Sequence, residues 1–180
     1  MIRDFNLLAT SETLTQSAAS SELWMLLRAT GDETPAVDRS PARGLITART
    51  SFDPVQAVAK LREKLRENPD HFKSLLRVIP VQRRVATDLE EIARTAADMA
   101  SEIGDDESFR VTLEKRRTHL RSRTVIDAVA EMIDRKVDLE SPDWVVLVEI
   151  VGKVTGLSVM RPDGILNIQK ERYQLLTERQ

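Results

Sequence analysis

The sequence predicts an α+β protein of two consecutive units, and three observations lead there. Hydrophobic spacing alternates between the two-residue period of strands and the three-to-four-residue period of helices along the 180 residues. The segments so marked order as β-α-β-β-α-β before residue 80 and as α-β-α-β-β after it. With 41% hydrophobic and 31% charged residues, the chain has the apolar material for packed cores and is not of disordered composition. The length accommodates one ordinary domain or two small ones. No internal repeat, low-complexity tract or long linker interrupts either half.

In the first unit, Arg3 to Ala9 is a short apolar segment, followed by Ser11 as a helix N-cap. Leu14, Ala18, Leu23, Leu26 and Leu27 then mark a helix ending near Gly31, although its serine-rich start is a poor helix former. Two short strands follow near 34–39 and 44–50, separated by the turn signal Ser40-Pro41. The next helix is well marked: Asp53 caps it, Pro54 takes its first position and Gln56 completes a capping-box spacing. Val58, Leu61 and Leu65 share one face, and Asn68-Pro69 ends it. Ser74 to Val81 reads as a strand in which Pro80 requires an edge or a bulge. This order is the ferredoxin-like pattern, assigned to residues 1–80.

The second unit, 81–180, opens with the capping box Thr87…Glu90 and a helix with Leu89, Ile92, Ala96, Met99 and Ile103 on one stripe, closed by Gly104. Ser108 to Leu113 alternates as a strand. Ser122 begins a helix with Ile126, Val129 and Ile133 inward. Trp144 to Val151 is apolar on both faces and should be a central strand. Short strands are expected at 157–160 and 164–168. Gly152 to Gly156 (GKVTG) reads as a hairpin turn.

Much chemistry is excluded by composition. There is no cysteine, which removes disulfide scaffolds, zinc fingers, thiol nucleophiles and iron–sulfur clusters; His71 and His119 are the only imidazoles. The six glycines form neither a G-x-x-x-x-G-K-[ST] nor a G-x-G-x-x-G loop. The acids between Asp88 and Glu107 lie mostly off the apolar stripe and read as a solvated face. Glu149 alone is placed oddly, on a strand face with Val145, Leu147 and Val151, where burial demands a basic partner. A structural ion pair, a place at the sheet margin and the holding of an RNA-contacting base are its open readings. No catalytic residue, metal or cofactor is expected. The longest apolar run is Trp144 to Val148, too short to span a bilayer, and Asp4 argues against a signal peptide, so a cytoplasmic protein is expected.

The net charge is −2, but the charges are sorted into blocks. Lys73 to Arg84 carries +4, Asp88 to Glu107 carries −7, and Arg110 to Arg123 carries +5. Local field, not the mean, attracts a polyanion. Lys115, Arg116, Arg117, His119, Arg121 and Arg123 fall between a strand and a helix N-terminus, which adds its own positive end. With Arg83, Arg84 and the hairpin Lys153 they are the candidate RNA-binding residues. Aromatics are only 4% of the chain, so base stacking is limited and recognition should rest on backbone, shape and 2′-hydroxyls. The alternative at this point is a solubilising charged loop.

The second unit resembles the THUMP domain, an RNA-binding module of tRNA-modifying proteins. The resemblance is carried by Arg77-Val-Ile-Pro-Val81, by Ser108 to His119 (SFRVTLEKRRTH), by Val137-Asp-Leu-Glu-Ser-Pro142, by Val146-Leu-Val-Glu-Ile150 and by Gly156-Leu-Ser-Val159. It implies that the basic strand-to-helix stretch faces tRNA, and that the first unit is the ferredoxin-like domain that usually precedes THUMP, the pair gripping the acceptor stem and 3′ end. Most such proteins append a catalytic domain, of which these residues show no sign. The chain is therefore similar to the stand-alone THUMP adaptors that hold tRNA for a separate RNA acetyltransferase making N4-acetylcytidine. The resemblance thus implies a non-enzymatic adaptor whose partners are tRNA and that acetyltransferase. The alternatives are the RNA-binding subunit of a split thiolation or methylation enzyme, and a protein-interaction module using the acidic helix.

Overall fold

The computed structural model describes residues 1–178. In chain order it contains β1 (Leu7–Ser11), α1 (Gln16–Ala29), β2 (Ala36–Arg39), β3 (Leu45–Arg49), α2 (Pro54–Glu67) and β4 (Leu75–Pro80). There follow β5 (Arg83–Ala86), α3 (Leu89–Met99), β6 (Ser108–Arg116), α4 (Ser122–Glu131), β7 (Lys136–Val137), β8 (Trp144–Val151) and β9 (Val154–Met160). The chain ends in β10 (Leu166–Asn167) and α5 (Ile168–Glu178). It divides into two compact units, one of residues 1–81 together with the segment from 164 onward, the other of residues 82–163. Each has its own five-stranded sheet, so the fold is mixed α+β.

In the first unit the strands order β10-β4-β1-β3-β2, all antiparallel. Asp53 caps α2 as its spacing predicts, the carboxylate accepting from the N–H groups of Val55 and Gln56 at 3.0 Å. Val58, Leu61 and Leu65 are buried with Leu23, Leu27, Ile46 and Val78 in one core. Ser11 is not the N-cap of α1. Its N–H is bonded to the Gly44 carbonyl oxygen at 2.9 Å as part of β1, and a 3₁₀ turn at Thr13–Thr15 leads into the helix. Gly44 makes that approach feasible, because it takes φ +70° and a Cβ there would lie 2.5 Å from the Ser11 carbonyl oxygen. Pro80 sits on an edge stretch, since β10 pairs only with Arg77 and Val78.

The sequence assigns 81–180 wholly to the second unit, whereas the structure returns β10 and α5 to the first. The Arg62 guanidinium donates to Glu171 at 2.8 Å and to the Ile165 carbonyl oxygen at 3.1 Å, and Leu166 and Ile168 enter the first core. A two-residue strand has no period of its own to reveal which sheet it joins. The strand predicted at 164–168 is thus β10 alone, with Ile168 already helical.

In the second unit the order is β5-β9-β8-β6-β7, with β6 parallel to β8 and to β7 and the other pairs antiparallel. Trp144–Val151 is the central strand its two-faced apolarity predicts. The α3 and α4 helices cover one face, burying Ile92, Ala96, Val125 and Val129 against Phe109, Val146, Val148, Ile150, Leu157 and Val159. Two strands are additional to the predicted α-β-α-β-β order. The β5 segment, Arg-Arg-Val-Ala, carries little apolar pattern and is held by register with β9, while β7 is only two residues long. The α3 cap is Asp88, whose Oδ1 accepts from Glu91 N–H at 3.0 Å, not Thr87, whose hydroxyl pairs with that of Thr155. In α4 Val125 is fully buried and Ile126 only partly so, a rotation by one residue from the expected face.

Candidate nucleic-acid interface

Four backbone features converge at one end of the second sheet: the C-terminal end of β6, the loop 117–121, the first turn of α4 and the β8–β9 hairpin. The hairpin is the two-residue turn Gly152-Lys153, with Gly152 at φ 63°. Gly152 N–H donates to the Arg116 carbonyl oxygen at 2.9 Å, which fixes Lys153 beside the end of β6. The strand then turns sharply at Arg117, whose φ of 54° is the one positive value among the described non-glycine residues. Such a conformation costs about 1–2 kcal/mol and persists where surrounding bonds hold it. Here the loop is braced by Lys115 Nζ donating to the Leu120 carbonyl oxygen at 2.9 Å and by Leu120 N–H donating to Thr118 Oγ1 at 3.2 Å.

The loop delivers the chain into α4 without a side-chain cap at Arg121. The first N–H groups of that helix therefore face outward with its positive dipole end. Lys115, Arg117, His119, Arg121, Arg123 and Lys153 are all exposed around this point. Arg123 is 93% exposed and only loosely associated with Asp127 at 3.6 Å. Guanidinium forks, a helix N-terminus and the exposed hydroxyls of Ser122 and Thr124 make a surface that can accept several phosphate oxygens. Those two hydroxyls are additions to the sequence-derived set, although the helix start at Ser122 that the sequence predicts already places them in its first turn.

Three of the nine candidates lie elsewhere. Arg116 points to the opposite face of the sheet and bonds Glu149 Oε2 at 2.8 Å; the Glu149 side chain is 1% exposed. This is the basic partner that burial of Glu149 demands, and it commits Arg116 to the protein. Arg83 is held at 2.5 Å by Asp98 on the acidic helix α3. Arg84 projects from β5, at the far edge of the sheet, about 14 Å from β6 across three strand spacings. The reason is topological: β5 pairs with β9, so nearness in sequence to the first unit's last strand says nothing of its distance from β6.

At the other end of the sheet the charges are locked in pairs. Arg161 lies 3.9 Å over the Trp144 ring and binds Glu107, whose carboxyl is held down to about 2 chiefly by that guanidinium and further by the Gly104 N–H. Ser108 N–H and hydroxyl donate to Asp143. The Asp138 carboxyl is also lowered, by N–H groups of Ser141 and Glu140. These contacts order the 138–143 turn. Among the described residues no group of His, Cys, Asp and Glu is placed to hold a metal ion, and no helix is long and apolar enough to cross a membrane.

Residues 86–160, a stretch within the second unit, match the model of the THUMP domain. An uncharacterised protein of Methanocaldococcus jannaschii, MJ0421, is 28% identical over 123 residues, which are 66% of this chain and 33% of that protein. Among solved structures, PH1313 of Pyrococcus horikoshii aligns with a TM-score of 0.65 at 19% identity, covering 87% of this chain and 55% of that one. A 4-thiouridine synthetase, crystallised with RNA and ATP, aligns with a TM-score of 0.50 at 16% identity over 88% of this chain and 42% of its own. The chain thus spans from a third to about half of these proteins, and at such identities the structural matches show a shared fold.

Proposed function

We propose that this chain is a non-catalytic, cytoplasmic tRNA-binding adaptor that presents tRNA to a separate RNA cytidine acetyltransferase for N4-acetylcytidine formation. The observation that carries RNA binding is the group of five exposed cations around the start of α4, Lys115, Arg117, Arg121, Arg123 and Lys153, within the stretch that matches the THUMP domain. The adaptor role rests on the sequence resemblance to stand-alone THUMP proteins and on the lack of a nucleophile–base or phosphate-loop motif. In this reading the first unit is a ferredoxin-like partner of the THUMP domain, supported by the strand order β4-β1-β3-β2 with α1 and α2 packed in its core. A second reading, the RNA-binding part of a thiolation enzyme, is favoured by the likeness to the RNA-bound 4-thiouridine synthetase.

Five cations each neutralising a phosphate set a slope of log K against log salt of about −3.5 to −4.5. Replacing Arg117 and Arg121 by Glu should weaken tRNA binding at least about tenfold and flatten that slope by about 2. Filter binding across a salt series measures both; unchanged slope and affinity reject these residues as contacts. Deleting the gene and mapping modified nucleosides separates the two readings. Loss of acetylcytidine alone supports the adaptor, and loss of thiouridine alone supports the other.

A further inference from the structure

The helical face of the second unit carries a groove that the basic end does not use. It runs between the first two turns of α3 and the last two of α4, has a volume of about 710 Å³, and is lined by Asp88, Leu89, Glu90, Ala93, Arg94, Ala128, Glu131 and Met132. Its floor is apolar: Leu89, Ala93 and Ala128, with Met132 beside them, 53% exposed. Methionine left on a surface between two helices is an adaptable contact, of the kind used to receive a partner's apolar side chains. Its rim is acidic, with Asp88, Glu90 and Glu131 against Arg94 alone. Glu90 and Glu131 are exposed and have no ion-pair partner among the described residues.

We infer that this groove docks a Lys/Arg-bearing amphipathic helix of a partner protein. Two helices lying side by side offer a third the ridge-and-groove surface on which helices pack, and the four apolar side chains are spaced to receive residues one turn apart. The rim selects the flanks: the Glu90 and Glu131 carboxylates, without ion-pair partners among the described residues, favour a segment with basic residues beside its apolar stripe and repel phosphate backbones. The second unit then bears two surfaces of opposite sign, a basic end and an acidic helical groove. This inference stands on the groove and not on the RNA reading, so the two fail separately.

The probe is a labelled synthetic helix of about 18 residues, five turns, with a leucine stripe flanked by Lys and Arg. Its controls are the same stripe flanked by Glu, and a scrambled peptide of the basic composition. Fluorescence anisotropy with the full chain should show the basic amphipathic peptide binding at least about tenfold tighter than either control. Met132→Asp should cost about tenfold, and Glu90→Lys with Glu131→Lys should turn the preference toward the acidic peptide. All three positions are exposed, so these variants should keep the wild-type circular dichroism and melting temperature, and their tRNA affinity should not fall. Backbone amide shifts on titration should be confined to α3 and α4. Equal binding of the scrambled peptide, indifference to Met132→Asp, or a concentration-dependent dimer abolished by Met132→Asp would each overturn the proposal, the last assigning the groove to a second copy of the chain.

Discussion

Removing the Arg116 guanidinium by Arg116→Met takes away the group 2.8 Å from a carboxylate that is 1% exposed. Breaking a buried pair from one side costs about 3–5 kcal/mol, because the remaining charge keeps its desolvation penalty without its counter-charge. In a chain of this size that corresponds to a fall in Tm of about 6–20 °C. Replacing both partners, Arg116→Met with Glu149→Leu, removes the penalty together with the attraction and places two apolar side chains beside Leu147 and Val151, so most of the loss should be regained. Urea denaturation of the wild type, both single variants and the double variant closes the cycle, read as midpoint shifts at constant m. tRNA affinity of the double variant should match the wild type, since Arg116 faces away from the exposed cations. A single variant within about 1 kcal/mol of the wild type, or a double variant no more stable than Arg116→Met, would refute the argument that this pair is one buried unit. A stable double variant with lost tRNA binding would return Arg116 to the interface.

Acid should weaken the fold in a definite window. Burial pushes the Asp32 carboxyl up, but hydrogen bonds from Thr50, Ser51 and Thr34 outweigh it and hold it below its ordinary value; Glu107 is held to about 2 by Arg161. Both groups are charged more readily folded than unfolded, so their contribution is full above the unfolded carboxylate range, about pH 5, and is lost as pH falls below it, for Glu107 toward 2. The urea midpoint should drop across that interval, and a flat midpoint would contradict it. Asp32→Ala, which deletes the acceptor of four bonds, should cost about 3 kcal/mol at neutral pH. Gly44→Ala and Gly152→Ala share a left-handed backbone but differ in space. The first drives Cβ into the Ser11 carbonyl and should cost well over 2 kcal/mol, while the second meets nothing within 4 Å and should cost about 1 kcal/mol by thermal melting.

What could be read from residues alone was what short-range physics governs. Asp53-Pro54, the alternation at Ser108–Leu113, the two-faced run Trp144–Val151 and a hairpin opening at Gly152 each carry their own signal within one or two turns of chain, although Val154–Gly156, read as part of the turn, belong to β9. A suspicion about Glu149 followed in the same way, because a carboxylate among valine and leucine neighbours must meet a base if buried; that it is buried, and not at the sheet margin, is the structure's finding. The identity of that base did not follow: Arg116 and Glu149 are 33 residues apart and meet only through the parallel register of β6 with β8. The candidate interface divided for the same reason. Period-2 geometry could have set Arg116 on the face opposite Lys115 and Arg117, but placing Arg83 on Asp98, and Arg84 three strands from the loop, required the strand order. Local composition therefore determined the elements, the blocks of charge and the THUMP-like signature. Tertiary pairing decided which cations share a surface, which are consumed by carboxylates, and that the C-terminal segment closes the first sheet, because those outcomes depend on contacts between residues far apart in sequence that no local pattern encodes.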